Sequence, residues 1–272
     1  MKSLIINPKS RTLLYSYLKD PTHALLLTGQ SGVGLGTIAK TLAKTIAGPD
    51  AVVIAPSVHP PQKTANINVD DIKTLLRISR NKRKTPLVIV IDEAEQMTNR
   101  APEAFLKLLE EPNPNIHFIL TSHSLGNLPK TVLSRVQKIE ILPCVAETDS
   151  LLQTIRNKPE KKLTQIAFLG RGLPAEIKRL SENDDYFQGR SRSFAIAKEF
   201  LGANTYNRLK IVANLKERPE AIAFVRSLAN LSQILAEKAP NPAKLAILSD
   251  ILDGLAQNGG LKAQLTHLAV NF

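Results

Sequence analysis

Three glycines at fixed spacing, two adjacent carboxylates behind an apolar run and one arginine in a short loop are the residues whose types and positions bear on chemistry. The stretch LLLTGQSGVGLGTIAKTLAK, residues 25–44, sets Gly29, Gly32 and Gly34 at GxxGxG spacing between a strand-like run and a helix-like one. A loop of this kind surrounds phosphates with backbone amides and a helix N-terminus, while a lysine and a hydroxyl reach the terminal phosphates and Mg²⁺. Here Leu35 and Gly36 stand where the lysine and the Ser/Thr belong, and Thr37 comes one position late. Lys40 lies about 140° further round the helix than Leu35, poorly placed to point at the same phosphate. A charge-assisted hydrogen bond contributes roughly 1.5–3 kcal/mol, so its loss weakens phosphate binding by about one to two orders of magnitude. Losing transition-state stabilisation as well costs a further factor of about 10²–10³ in turnover. Autonomous ATP hydrolysis is therefore not expected. The rival reading of GVGLGT as a dinucleotide fingerprint fails, because GxGxxG is not satisfied and no clear acidic residue ends a second strand.

Two further segments belong to the same chemistry. VIVIDEAE, residues 88–95, places Asp92 and Glu93 at the end of an apolar strand, where a Walker B aspartate holds Mg²⁺ and the glutamate orients attacking water. A strand-terminating turn with surface carboxylates is the plainer alternative. SRV, residues 134–136, presents Arg135 just before another strand. An arginine on such a loop is able to stabilise a phosphoryl transition state in a neighbouring subunit, although a solvated surface arginine has the same local sequence.

The elements that must position these residues follow an α/β alternation. The runs HALLLTG (23–29), AVVIAP (51–56), PLVIVIDE (86–93), IHFILTS (116–122) and QKIEILP (137–143) are mostly near-continuous in apolar residues. Strands buried on both faces of a parallel sheet read this way. Between them, TNRAPEAFLKLLEEP (98–112) aligns Ala101, Ala104, Phe105, Leu108 and Leu109 on one helical face, with Thr98 or Asn99 as cap and Pro112 as stop. VDDIKTLLRIS (69–79) aligns Val69, Ile72, Leu75 and Leu76, with Asp70 and Asp71 in the favourable first turn. Beyond Pro143 the pattern becomes helical, first as short helices around GRGLPAE and then as amphipathic helices punctuated by RPE, APNP and NGG. Domain breaks are placed near 145 and 185. Ile222, Val225, Leu228, Leu231, Ile234 and Leu235 make one apolar face, which must pack within the last domain or against another subunit.

Composition sets outer limits. A chain of 272 residues with 43% hydrophobic residues predicts two or three domains with substantial interiors. No apolar run approaches the roughly 18 residues of a membrane span, and MKSLIINPKSR lacks the continuous apolar core of a secretory signal; a cytoplasmic protein without a membrane partner is expected. The single cysteine, Cys144, excludes an internal disulfide and a multi-cysteine zinc site, and reads as a small buried hydrophobe. The formal charge of +12 is spread over both halves of the chain. It fits a polyanion partner, or simply a basic soluble protein. ISRNKRK, residues 78–84, concentrates Arg80, Lys82, Arg83 and Lys84, which read equally as DNA-backbone contacts or a solvated loop. No aromatic residue interleaves with them, so base stacking is not indicated.

HALLLTG, VIVIDEAEQMTNRAPEAFLKLLEEPNPNIHFILTS and LPKTVLSRVQKI together resemble the core of bacterial sliding-clamp loaders, the AAA+ gamma/tau and delta-prime subunits of the DNA polymerase III holoenzyme. The likeness covers residues 1 to about 145 with several motifs in order. It implies an AAA+ P-loop-type domain (1–145) with a parallel sheet sandwiched by helices, a helical lid (146–185) and a helical collar for oligomerisation (186–272). It also implies that Arg135 matches the trans-acting finger of the family's Ser-Arg-Cys motif, with Val136 in place of the cysteine. Asp92 and Glu93 match the Walker B pair, and Ser122 or His123 falls at sensor 1.

Three departures accompany the likeness. Leu35 and Gly36 replace the Walker A lysine and threonine, Ala175 stands about where a sensor 2 arginine belongs, and residues 48–66 lack the four-cysteine zinc module, which His59 alone cannot replace. The first two are features that delta-prime subunits characteristically lose. The resemblance thus implies a subunit needing no cofactor of its own, with weak or absent nucleotide binding, while ATP and Mg²⁺ act at partner subunits. Its partners would be gamma/tau-type and delta-type subunits, the sliding clamp, and primed DNA through the assembled complex. The alternatives are a gamma/tau-like ATPase binding nucleotide weakly through backbone contacts and Thr37, or a related AAA+ loader in DNA repair.

Overall fold

The computed structural model describes residues 4–272 apart from 50, 59–64, 80–83, 99, 146–147, 154, 156, 237–241 and 257–258. In chain order the strands are β1 (Ala24–Gly29), β2 (Ala51–Ile54), β3 (Ser57–Val58), β4 (Ala65–Asn66), β5 (Leu87–Ile91), β6 (Ile116–Ser122) and β7 (Gln137–Ile141). The helices are α1 (Pro8–Lys19), α2 (Leu35–Ala47), α3 (Val69–Ser79), α4 (Ala101–Glu110), α5 (Lys130–Leu133), α6 (Thr148–Gln153), α7 (Glu160–Gly170), α8 (Pro174–Glu182), α9 (Asp184–Gly202), α10 (Thr205–Ala213), α11 (Arg218–Ala236), α12 (Pro242–Ala256) and α13 (Leu261–Asn271). They gather into two compact units, Met1–Lys178 and Arg179–Phe272.

The first unit is built on a five-stranded sheet in the order β2-β5-β6-β1-β7, with each neighbouring pair parallel. Alternate side chains of one strand enter two different cores. Leu26, Ile89, Ile91, Phe118 and Leu120 pack with Ile72 and Leu75 of α3 and with Phe105, Leu108 and Leu109 of α4. Leu25, Leu27, Val88, Val90, Ile119 and Ile139 pack on the other face with Leu14 and Tyr17 of α1 and with Ile38 and Leu42 of α2. A strand that feeds two cores has no polar face, which accounts for the near-continuous apolar runs.

Several local details differ from the sequence-based expectation. Helix α4 begins at Ala101 after Arg100 and has no side-chain cap; the Thr98 carbonyl accepts from the Ala101 amide instead. Asn99, the other cap candidate, lies outside the described residues. Helix α3 has a reciprocal cap, since Asn68 Oδ1 accepts from the Asp70 and Asp71 amides while Asp71 Oδ2 accepts from the Asn68 amide. Helix α1 is fastened to β7 by buried Ser10, which donates to the Glu140 carbonyl at 3.0 Å and accepts from the Leu142 amide at 2.9 Å. Cys144 is buried, as its sequence setting indicates.

The second unit is helical. Phe200 of α9 meets Phe224 of α11 edge to face, with ring centroids 5.4 Å apart, and Val225, Leu228, Leu248, Ile251, Leu265 and Leu268 complete the core. The apolar face noted on α11 is used inside this unit: Val225 and Leu228 are buried, and Ile222 and Leu231 pack against the same core. Leu235 remains exposed.

Phe105 is fully buried and stands edge to face on Phe118 at 5.2 Å. Phe105→Ala is expected to lower unfolding stability by about 3–5 kcal/mol. Urea unfolding followed by far-ultraviolet circular dichroism measures it, since the chain contains no tryptophan.

Candidate functional site

The glycine loop leaves the C-terminal end of β1 beside the ends of β5 and β6. This is the edge of an open α/β sheet where ligands bind in such folds. Gly32 and Gly34 have φ of 97° and 91°, a left-handed backbone that glycine adopts without strain. So the loop keeps the backbone of a phosphate cradle.

Its side chains do something else. Leu35 is 2% exposed and belongs to the core beneath the loop. A Cβ on Gly36 would lie 2.5 Å from Asp92 Oδ2 and 2.9 Å from Oδ1, so the Asp92 carboxylate lies where a Walker A hydroxyl side chain would begin. Thr37, one step of about 100° further round α2, is exposed. Lys40 Nζ is 4.0 Å from Asp92 Oδ2, a loose contact between a largely exposed ammonium and the carboxylate.

The start of α8 lies on the loop. The Ala175 amide donates to the Gly32 carbonyl at 2.9 Å, joined at 3.3 Å by that of Glu176. A Cβ on Gly32 would meet Glu176 Cβ at 3.0 Å, and one on Gly34 would meet Ala175 Cβ at 3.7 Å. Ala175 therefore does stand at the loop, where its methyl group offers no charge. A triphosphate with Mg²⁺ would meet here neither the lysine nor the hydroxyl that such loops use.

At the ends of β5 and β6 a small hydrogen-bond network fixes the carboxylates. Thr121 Oγ1 donates to Asp92 Oδ1 at 2.7 Å and accepts from the Glu93 amide at 2.9 Å. His123 donates from Nδ1 to the Gly29 carbonyl at 2.8 Å, and its amide donates to Glu95 Oε1 at 2.8 Å. Of the two sensor 1 candidates, His123 faces the glycine loop. Ser122 is fully buried and turned to the Ser124 backbone. Thr121 and Glu95 were not singled out from the sequence, although register places Leu120 beside Ile91 and hence Thr121 level with Asp92. Among the described residues, no group of three or more His, Cys, Asp or Glu side chains is arranged to hold a metal ion.

Arg135 follows α5 one residue beyond its C-cap Ser134. Its Nη2 is 3.0 Å from Glu110 Oε1 at the end of α4, and its Nη1 donates to the Thr131 carbonyl at 3.0 Å and to Ser134 Oγ at 3.3 Å. The side chain is 38% exposed and that of Glu110 52%. An ion pair this open to water contributes roughly 0–1 kcal/mol. Arg135 thus lies against its own chain instead of projecting freely. Of the basic loop, Arg80, Lys82 and Arg83 lie outside the described residues, and Lys84 is exposed.

The parallel sheet with helices on both faces and a glycine loop at its edge defines the class as a P-loop-type α/β fold. A solved gamma subunit-related protein of DNA polymerase III from Thermotoga maritima shares this fold, with a TM-score of 0.52 and 17% identity over 96% of this chain and 97% of that one. The family model described as DNA polymerase III, delta subunit, matches residues 47–145. A delta-prime subunit from Pseudomonas aeruginosa is 28% identical over 181 residues, 58% of this chain and 55% of its own length. A gamma subunit from Buchnera aphidicola is 28% identical over 131 residues, 42% of this chain and 36% of its own. Over these stretches the chain is similar to clamp-loader subunits of DNA polymerase III. Its matched part spans between about a third and just over a half of these two curated relatives. No described helix is long and apolar enough to cross a membrane.

Glu93 is held at φ 52°. Burial raises the pKa of its carboxyl, with smaller upward contributions from Glu95 and Asp92 and an opposing one from His123. A carboxyl that keeps its proton to higher pH in the folded chain than in the unfolded one favours folding while protonated. That contribution is present at low pH and is lost as pH rises from the unfolded to the folded pKa. Glu93→Gln carries no charge at any pH, so its melting temperature is expected to exceed the wild type's at neutral pH. The difference should shrink as pH falls to about 4, where carboxyl groups protonate; thermal melts across this range measure it.

Proposed function

We propose that this chain is a delta-prime-like subunit of a DNA polymerase III clamp loader. In this reading it supports ATP-dependent loading of the sliding clamp onto primed DNA without turning over ATP itself. The observation that carries the reading is the altered loop: Leu35 in the core in place of a phosphate-binding lysine, the Asp92 carboxylate against Gly36, and the start of α8 on Gly32. Nucleotide binding is weak or absent here, and ATP with Mg²⁺ is held by adjoining gamma/tau-type subunits. Arg135 acts as a finger in trans, placed beside a neighbour's phosphates by the loop after α5. Delta-type subunits, the clamp and primed DNA complete the assembly, the last through backbone contacts that include Arg80, Lys82, Arg83 and Lys84. The short helices after residue 145 serve as lid and those after 185 as collar, in a cytoplasmic complex.

The gamma relative, at the same 28% identity as the delta-prime one, supports a second reading as a weak gamma/tau-like ATPase. Equilibrium binding of labelled ATP to the isolated chain, with a turnover assay beside it, separates the two. The first reading expects neither binding nor turnover at nucleotide concentrations that saturate a gamma-type subunit. Tight binding accompanied by turnover would establish the second.

Arg135→Ala is expected to leave folding intact, since the side chain makes only surface contacts. In a loader reconstituted from the source organism's subunits it should lower DNA-stimulated ATPase by about 10³ at the site it serves, the lower end of what such fingers supply. Sites elsewhere in the assembly would keep their rate, so single-turnover measurement resolves the loss. Unchanged turnover at every site refutes the finger.

A further inference from the structure

We infer that Glu110 is a positioning residue for Arg135, a latch that holds the finger back until a neighbour's phosphates replace it. The inference rests on the finger reading above. It begins from two features of the fold. Glu110 is the last residue of α4, where the negative end of the helix dipole disfavours a carboxylate and favours a nearby cation. Arg135 supplies that cation from the loop after α5, with Nη2 on Glu110 Oε1 at 3.0 Å and Nη1 on the Thr131 carbonyl at 3.0 Å.

The guanidinium is thereby committed to acceptors of its own chain. A carboxylate and a phosphate present similar oxygens to an arginine fork, so Glu110 takes the place that a phosphate would take. Both cannot hold Nη2 at once, and a carboxylate left at the finger would repel the incoming phosphate. Glu110 is therefore a competitor and not a helper. The pair is half open to solvent, and water and salt keep it weak enough for subunit docking to break it. A buried pair would lock the finger, and no pair would leave the arginine free to meet any phosphate.

Glu110→Gln keeps the shape and removes the charge. In the reconstituted loader it is expected to raise ATPase in the absence of DNA by about two- to fivefold, the factor that an exposed ion pair carries. Adding Glu110→Gln to Arg135→Ala should change nothing further, because the latch acts through Arg135 alone. In the isolated chain, the Arg135 side-chain Nε–H resonance should shift and relax as a more mobile group in Glu110→Gln. A resonance unchanged by the substitution overturns the latch, whatever the ATPase does. So does an unchanged or lowered DNA-free rate in a loader where Arg135→Ala is defective. If Arg135→Ala itself leaves every site at full rate, the finger reading falls and the latch with it.

Discussion

The Asp92 carboxylate is the group on which the arrangement of the site depends. It leaves the end of β5, accepts from Thr121 on β6 at 2.7 Å, and approaches α2 so closely that a Cβ on Gly36 would stand 2.5 Å from it. Two strands and a helix are thus referred to one side chain. Any larger residue at position 36 must move the carboxylate, and any movement strains its bond to Thr121, which also carries the Glu93 amide. Retention of the aspartate beside a loop without lysine then has a physical cause. The carboxylate has structural contacts to satisfy whether or not a metal ion is ever present.

The glycine loop has a comparable task. Helix N-termini leave amides without intrahelical partners, and at the start of α8 the Ala175 and Glu176 amides find theirs on the Gly32 carbonyl. That carbonyl is available because Gly32 adopts φ 97°, and the approach of Glu176 and Leu173 leaves little room for a side chain. The glycine loop is here a seat for the first turn of α8. Gly32 is required for that packing.

Much of the sheet was legible because burial on two faces writes itself into composition: LVIVI and ALLLT have no polar alternation to misread. Helix α1 escaped notice because PKSRTLLYSYLK leaves Leu13 and Tyr15 exposed while burying Ser10, Leu14 and Tyr17, which blurs the apolar stripe. The β3–β4 pairing has two residues in each strand, too few for periodicity to register. The loop, Asp92, Glu93 and Arg135 were legible as types at recognised spacing. Thr121, Glu95 and Glu110 were not, because each acquires its meaning from a partner on another element. The different settings of Ser122 and His123 likewise needed coordinates, since they depend on which way each side chain leaves the end of β6.

Leu35 shows why the missing lysine is more than a deletion. At 2% exposure among Val33, Ile38, Ala39 and Leu42, its side chain contributes about 1.5–3 kcal/mol through burial. A lysine bonded to phosphate contributes roughly 1.5–3 kcal/mol through a charge-assisted hydrogen bond. The two are of the same size, but they arise under different conditions. The lysine's share appears only when nucleotide is bound, and without it an ammonium must be kept solvated above the core. The leucine's share is present at all times and rigidifies the first turn of α2 against the sheet. A sequence with leucine at this position therefore favours a permanently formed loop over a ligand-dependent one.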